Sequence, residues 1–118
     1  MKYKFKKTVY DIGGGKTSFD FGVDRDSLDD TIKALININW WGWTPKEIQM
    51  IIDKSKALTD NQEFDYQVEG SGFLMSIDKD EVYFYDMHND QKEEDFKWSF
   101  SEFIDFMEKF KKFVEENS

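Results

Sequence analysis

Three polar side chains at alternate positions, Asp86, His88 and Asp90, have the spacing of a small set of metal ligands. Carboxylate oxygens and an imidazole nitrogen bind divalent ions, and this spacing would let all three approach one ion. A second run of carboxylates lies nearby at 78–81. Neither run has the glycine and the distal glutamate of an EF-hand loop, and solvated turn residues explain both equally well. The sequence therefore predicts no bound metal and no other cofactor.

The run Gly15-Lys16-Thr17 matches the end of a phosphate-binding loop, in which backbone amides and a lysine hold nucleotide phosphates. The complete motif requires a glycine five residues before Gly15, where this chain has Tyr10, and a helix must follow. Phe19 and Phe21 instead alternate with polar residues, which is typical of a strand. We interpret the run as the turn of a β-hairpin.

Nucleophilic catalysis has few side chains to use, because the chain has no cysteine and one histidine, His88. Ser27 and Ser99 precede helical patterns, so they are expected to cap helices. Paired carboxylates perform acid–base chemistry only in a cleft that shifts their pKa values, and the acids here fall in predicted turns. We therefore expect a protein that is not an enzyme.

The charge of the chain is strongly acidic, with 25 Asp and Glu against 16 Lys and Arg and a net charge of −9. Such a surface repels nucleic-acid phosphates, so we expect no nucleic-acid partner. From Asp78 to Asp95 eight acids oppose two lysines. This run is either a solvated face or a surface complementary to a basic partner such as a nuclease active site. The candidate contact residues in it are Asp78, Asp80, Glu81, Asp86, His88, Asp90, Glu93 and Glu94.

Three tryptophans fall in the run Trp40-Trp41-Gly42-Trp43, between two helical patterns. One interpretation is that two indoles close the core and the third staples the helix that begins after Thr44. The alternative is an exposed anchor for a protein partner, because Trp is enriched in binding hot spots. Trp40 and Trp41 are therefore further candidate contact residues, and they suit an adaptor or regulatory protein.

The spacing of apolar residues predicts a single α+β domain over residues 1–118, with the element order β-β-α-α-β-β-β-α. In it, an antiparallel sheet of about five strands packs against a long C-terminal helix. Strands are predicted over 3–10, 19–24, 64–68, 73–77 and 82–86, and residues 88–95 are predicted to be a loop. Helices are predicted over 28–37, 45–58 and from 100 to the C-terminus. Their predicted caps are Ser27, Thr44 and Ser99.

The basic N-terminal residues 2–7 precede no apolar run, and no stretch reaches the ~20 apolar residues of a membrane span. The sequence therefore predicts a cytoplasmic protein with no membrane partner. Its oligomeric state is expected to be a monomer or a weak homodimer.

An acidic chain of this size, with a late strand pair and with Trp98-Ser99-Phe100-Ser101-Glu102-Phe103-Ile104 opening an aromatic helix, resembles small bacterial immunity proteins. Those of contact-dependent growth inhibition systems are the nearest in kind. The start Met1-x-Tyr3-x-Phe5, the segment 74–82 and the helix 102–114 are also similar to an uncharacterised YacL-type bacterial family. The resemblance to immunity proteins implies a cytoplasmic inhibitor that binds one cognate toxin domain, often a nuclease, and blocks its active site.

Overall fold

The computed structural model describes residues 3–87 and 93–118. Within these residues the structure has six strands, two α-helices and two short 3₁₀ segments, Arg25–Ser27 and Asp30–Ile38. The strands are β1 (Phe5–Gly13), β2 (Lys16–Val23), β3 (Phe64–Val68), β4 (Phe73–Ile77), β5 (Glu81–Asp86) and β6 (Phe96–Ser99), and the helices are α1 (Pro45–Lys56) and α2 (Phe100–Asn117). The α+β class, the antiparallel pairing and the C-terminal helix are confirmed. The single sheet of about five strands is wrong, because β1 and β2 form a separate ribbon beside a four-stranded sheet.

The four-stranded sheet is a meander in the order β3-β4-β5-β6, with every neighbouring pair antiparallel. Three of its strands agree with the sequence prediction. The fourth, β6, was not predicted, because its residues fall between the predicted loop 88–95 and the C-terminal helix, with Ser99 predicted as the helix cap. It forms because Phe96 and Trp98 alternate with Lys97 and Ser99, and pairing with β5 buries the two aromatic rings.

The ribbon of β1 and β2 turns at Gly14 and Gly15, which have φ values of 65° and 74°. A strand follows this turn, so the hairpin interpretation of Gly15-Lys16-Thr17 is confirmed. At the base of the ribbon, Phe21 and Trp40 exchange two backbone hydrogen bonds of 3.0 Å. Phe5 packs on α2 there, with its ring stacked on Phe110 at 5.4 Å between centroids.

The prediction of a helix over 28–37 with Ser27 as its cap is wrong, because both the type of helix and the capping residue differ. The segment Asp30–Ile38 is 3₁₀-helical with a kink at Ile32, and its buried residues Ile32, Leu35 and Ile38 follow a period of three. Its cap is Asp29, whereas the Ser27 hydroxyl donates to the Asp24 carbonyl oxygen. A period of three places every third side chain on one face of a 3₁₀ helix, which is the face that contacts the sheet.

The two α-helices begin where their capping residues predict. Thr44 caps α1 and Pro45 occupies its first position, and α2 begins with a complete capping box between Ser99 and Glu102. In α1 the Glu47 carboxylate accepts a hydrogen bond from the Tyr66 hydroxyl at 2.7 Å, across to β3. Both helices bury an apolar stripe: α2 packs against β1, β5 and β6, and α1 packs against α2 and β3. Among residues 3–87 and 93–118, no helix has both the length and the apolar composition that crossing a membrane requires.

The Tyr66–Glu47 hydrogen bond predicts loss of stability at alkaline pH. Burial, and then the hydrogen bond to Glu47, raise the pKa of the Tyr66 phenol above 10.0, so the protonated phenol is favoured in the folded state. A pKa that is raised on folding contributes stability below the unfolded-state pKa and loses it as the pH rises towards the folded-state pKa. We expect the free energy of unfolding to fall above about pH 10 more steeply in the wild type than in Tyr66→Phe. Urea titrations between about pH 8 and about pH 11.5 test this, and equal slopes would contradict it.

Candidate protein-binding surface

One face of the four-stranded sheet is buried, and the other is not covered by any helix or strand of residues 3–87 and 93–118. The inner side chains of β3–β6 pack against the 3₁₀ segment Asp30–Ile38 and the two helices, α1 and α2. The outer side chains are all exposed or half-buried. We call this set the outer face, and it consists of Asp65, Gln67, Leu74, Ser76, Glu81, Tyr83, Tyr85, Lys97 and Ser99. The antiparallel meander explains this division, because successive side chains of a strand point to opposite faces.

The centre of the outer face is apolar and aromatic. Leu74 lies directly opposite Tyr85, and Ser76 lies opposite Tyr83, which is two residues from Tyr85 on the same strand. All of these side chains are half-buried by one another and by their neighbours. Tyr is among the residues most enriched at the centres of protein interfaces, since a phenol has a large apolar ring and a polar end.

Carboxylates surround this centre. Asp65 lies on the edge strand β3, and Glu63, just before β3, accepts a hydrogen bond from the Ser76 hydroxyl at 2.8 Å. Glu81 pairs with Lys97 at 3.2 Å, and Lys97 is the basic side chain of the outer face. Both partners of this pair are substantially exposed, so the salt bridge contributes little to stability. The rim of the outer face is therefore mainly anionic.

The negative charge of these carboxylates raises the pKa values of Tyr83 and Tyr85. The Glu81 carboxylate is the largest of the influences that raise the pKa of Tyr83, and Glu94 acts in the same direction. Burial raises the pKa of Tyr85, and Glu94 and Glu63 raise it further. Carboxylates from different strands and loops thus disfavour a further negative charge at the centre of the face. The same potential attracts a cation.

The acids predicted to form one contact surface lie at opposite ends of β5. Asp78 and Asp80 lie in the β4–β5 turn and Glu81 begins β5, whereas Asp86 ends β5 and Glu93 and Glu94 precede β6. Glu81 and Asp86 are five residues apart along β5, which corresponds to a distance of roughly 17 Å. His88 and Asp90 lie outside the described residues. The structure therefore places Glu81 and Glu94 around the outer-face tyrosines and separates Asp86 from the β4–β5 turn.

The carboxylate of Asp78, a predicted contact residue, and that of the neighbouring Asp95 already have intramolecular roles. The Asp78 carboxylate accepts hydrogen bonds of 2.8 Å from the backbone of both Asp80 and Glu81, which fixes the β4–β5 turn. At the other end of β5, the Asp86 amide donates to the Asp95 carboxylate at 2.6 Å. Asp86 follows Val82 and Phe84 in the alternation along β5, so its side chain lies on the inner face and points away from the tyrosines. These contacts give the Asp78 and Asp95 carboxylates a structural role at the two ends of β5.

The three indoles of the Trp40–Trp43 run have different environments. Trp43 is buried, and its Nε1 donates to the Ile38 carbonyl oxygen at 2.7 Å. Trp40 is half-buried, with its ring 5.3 Å from that of Trp43. Trp41 is 65% exposed. Of the two candidate contact residues in this run, Trp41 is the one with most of its ring in solvent.

Of the nine outer-face residues, Glu81 alone was a candidate at the level of sequence, and the residues missed include Asp65, Leu74, Tyr83 and Tyr85. The signal for them is present, because each alternates with a predicted core residue of its strand. It was not used because alternation along a strand shows which side chains share a face but does not show whether another element covers that face.

Comparisons with protein-family models, with curated proteins and with solved structures find no match. Within residues 3–87 and 93–118, no group of three or more His, Asp or Glu side chains is arranged to hold a metal ion.

Proposed function

We propose that this chain is a non-enzymatic binding protein that docks the outer face on a basic protein. Its resemblance to immunity proteins supports a more specific role, namely that it neutralises a cognate bacterial toxin by covering the toxin's basic active site. The partner contributes Lys and Arg, and this chain contributes tyrosines surrounded by carboxylates.

The observation that supports this proposal is the uncovered aromatic centre of the outer face. A sheet face that is only solvated is expected to be polar, because alternation separates apolar and polar side chains. Here Leu74, Tyr83 and Tyr85 form a contiguous group on that face. An apolar centre within a polar rim is the usual anatomy of a protein interface.

The charges have a separate role in this proposal, which is to speed the encounter. Complementary charge steers a basic partner into contact and makes the association rate depend on salt. The centre then holds the complex, because fully desolvated aromatic contacts carry most of the binding free energy at an interface.

A second candidate function is an adaptor that binds its partner through the Trp40–Trp43 run. Exposed Trp41 supports it, because a largely solvated indole is an uncommon surface residue. The two candidates are distinguished by which substitution abolishes binding.

The proposal is tested by capturing basic proteins from the lysate of the chain's own source and producing the captured protein in pure form. Its activity is then measured with increasing amounts of wild type, Tyr83→Ala/Tyr85→Ala and Trp41→Ala. Inhibition by the wild type at a one-to-one ratio, lost in the tyrosine variant, supports the proposal. Loss in Trp41→Ala alone supports the adaptor, and inhibition that survives in both variants contradicts both candidates.

Charge reversal at the rim gives a kinetic prediction. Asp65→Lys with Glu94→Lys is expected to slow association with the basic partner by about tenfold at low salt and to flatten its salt dependence. The matched control is Asp26→Lys with Glu115→Lys, at exposed acids away from the outer face. Each reversal changes the charge by two units, so both double variants carry a net charge of −5 instead of −9. Equal slowing in the two variants, measured by stopped flow, would assign the effect to net charge and contradict the site.

A further inference from the structure

The distal half of the β1–β2 ribbon has an exposed apolar surface that the proposed function does not use. Every residue from Thr8 to Gly13 is exposed. On the face that carries Phe5 and Phe21 into the core, the next cross-strand pair is Val9 and Phe19, which are 61% and 37% exposed. The core-facing side of the ribbon thus continues into solvent.

The outer edge of β1 also has unpaired backbone groups. Phe21 exchanges its backbone hydrogen bonds with Trp40, so its amide and carbonyl point away from β1. Lys7, opposite Phe21, therefore belongs to a pair without mutual hydrogen bonds, and antiparallel strands alternate between the two kinds of pair. The backbone groups of Phe5, Lys7, Val9 and Asp11 hence point to the open edge. Within the described residues, no backbone hydrogen bond joins these groups to another element.

We propose that this edge pairs with the same edge of a second copy of the chain, antiparallel and with the two-fold axis at Val9. Backbone hydrogen bonds between the two Val9 residues would join the ribbons into one four-stranded sheet. In this register Lys7 of each copy lies opposite Asp11 of the other, on the face that carries Val9. The two copies therefore form two complementary charge pairs around the axis.

The charges of Lys7 and Asp11 favour this register and favour a second copy of the chain as the partner. A two-fold axis at Lys7 would place two lysines opposite each other, and an axis at Thr8 would place Lys7 opposite Val9. Lysines near an edge strand ordinarily discourage pairing with other chains. In the register centred on Val9 the charge of Lys7 is instead opposed by Asp11. The pairing also brings both Val9 side chains together between the two Phe19 rings.

Charge substitution in separate chains tests this pairing. In a pair of Lys7→Asp chains, or in a pair of Asp11→Lys chains, like charges face each other twice. We expect either variant alone to raise the dissociation constant of the dimer by about tenfold or more. In a one-to-one mixture, the introduced aspartate of one chain lies opposite the introduced lysine of the other, and the native Asp11 of the first lies opposite the native Lys7 of the second. We therefore expect association to recover in the mixture.

The mixture is also the control for damage within the chain. Lys7 donates to the Asn117 carbonyl oxygen and lies over the Phe19 ring, and Asp11 accepts from the Gly13 amide. A single substitution removes such contacts, and mixing the variants does not restore them. Recovery in the mixture therefore reports the contact between chains.

A proline substitution tests the backbone of the edge. Val9→Pro removes an amide that points outward, so it leaves the hydrogen bonds of the ribbon in place. Sedimentation equilibrium of the wild type is expected to show twice the chain mass of 14.1 kDa at high concentration, and Val9→Pro is expected to stay at the chain mass.

A wild type that remains at the chain mass up to about 1 mM, or a mixture that does not associate, would overturn the proposal. So would a Val9→Pro variant that loses a basic partner while the wild type shows no self-association, because the edge would then bind that partner. The masses and the recovery in the mixture are measured on this chain alone, so they do not depend on the outer face.

Discussion

Binding to the basic partner is expected to weaken by about 100-fold or more when Tyr83 and Tyr85 are both replaced by alanine. The two phenols form the centre of the outer face, where truncation of a buried hot-spot residue costs about 2 kcal/mol or more. Because both side chains are half-exposed in the free protein, the cost to folding is much smaller, about 1 kcal/mol or less per residue. Isothermal titration calorimetry measures the affinity, and urea unfolding measures the stability.

Tyr10→Ala is the matched control for this prediction. Tyr10 is 39% exposed on the ribbon, and its hydroxyl donates to Asp20 at 3.2 Å, so its loss removes a comparable surface tyrosine away from the outer face. Its affinity for the basic partner is expected to match the wild type. If Tyr10→Ala weakens binding while the Tyr83/Tyr85 double variant does not, the docking surface has been assigned to the wrong sheet.

Trp43→Ala is expected to destabilise the fold by about 3–5 kcal/mol. The Trp43 indole is 2% exposed, lies edge-on to Phe110 at 5.4 Å and stacks on Tyr66 at 5.8 Å between centroids. It thus joins α2 to β3, and its removal leaves a cavity together with an unpaired carbonyl at Ile38. Since small domains are stable by only about 5–15 kcal/mol, a substantial unfolded population is expected.

Trp41→Ala, two residues away, is the control within the same run. Its ring is mostly in solvent and makes a tilted contact with Trp40 at 6.0 Å, so the expected loss is about 1 kcal/mol or less. Trp43→Phe separates the two contributions, because it keeps a ring and removes the donor to Ile38. Urea unfolding midpoints of the three variants test the order Trp43→Ala, Trp43→Phe, Trp41→Ala. Equal midpoints for Trp43→Ala and Trp41→Ala would contradict the packing.

Local sequence signals predicted the elements whose stabilising contacts are themselves local. Thr44 and Pro45 specify the start of α1, and Ser99 with Glu102 specifies the start of α2, because a cap and its target amide are three residues apart. The glycines before Lys16 specify the hairpin turn through their positive φ values. Period-two alternation likewise predicted β3, β4 and β5 with the correct inner side chains.

The errors occur where a distant element decides the conformation. Residues Asp30–Ile38 have apolar spacing compatible with an α-helix, and packing against the sheet produces a 3₁₀ segment instead. β6 is four residues long, and it forms because β5 supplies a pairing edge for Phe96 and Trp98. A strand this short has too few local contacts to be stable alone, so its own residues give a weak signal.

The amino-acid sequence alone was enough to establish the acidic charge, the lack of cysteine, the α+β class and most helix and strand positions, because composition and short-range periodicity encode them. Which of these residues share a surface depends on the folded chain. The acids from Asp78 to Glu94 are close in sequence, but β5 carries them to opposite ends of the sheet. Asp65 comes from β3 and the two tyrosines, Tyr83 and Tyr85, come from β5, and antiparallel pairing through β4 brings them onto one face that no element of the described residues covers. Contacts between strands depend on long-range register, so proximity in the sequence was a poor guide to the candidate site.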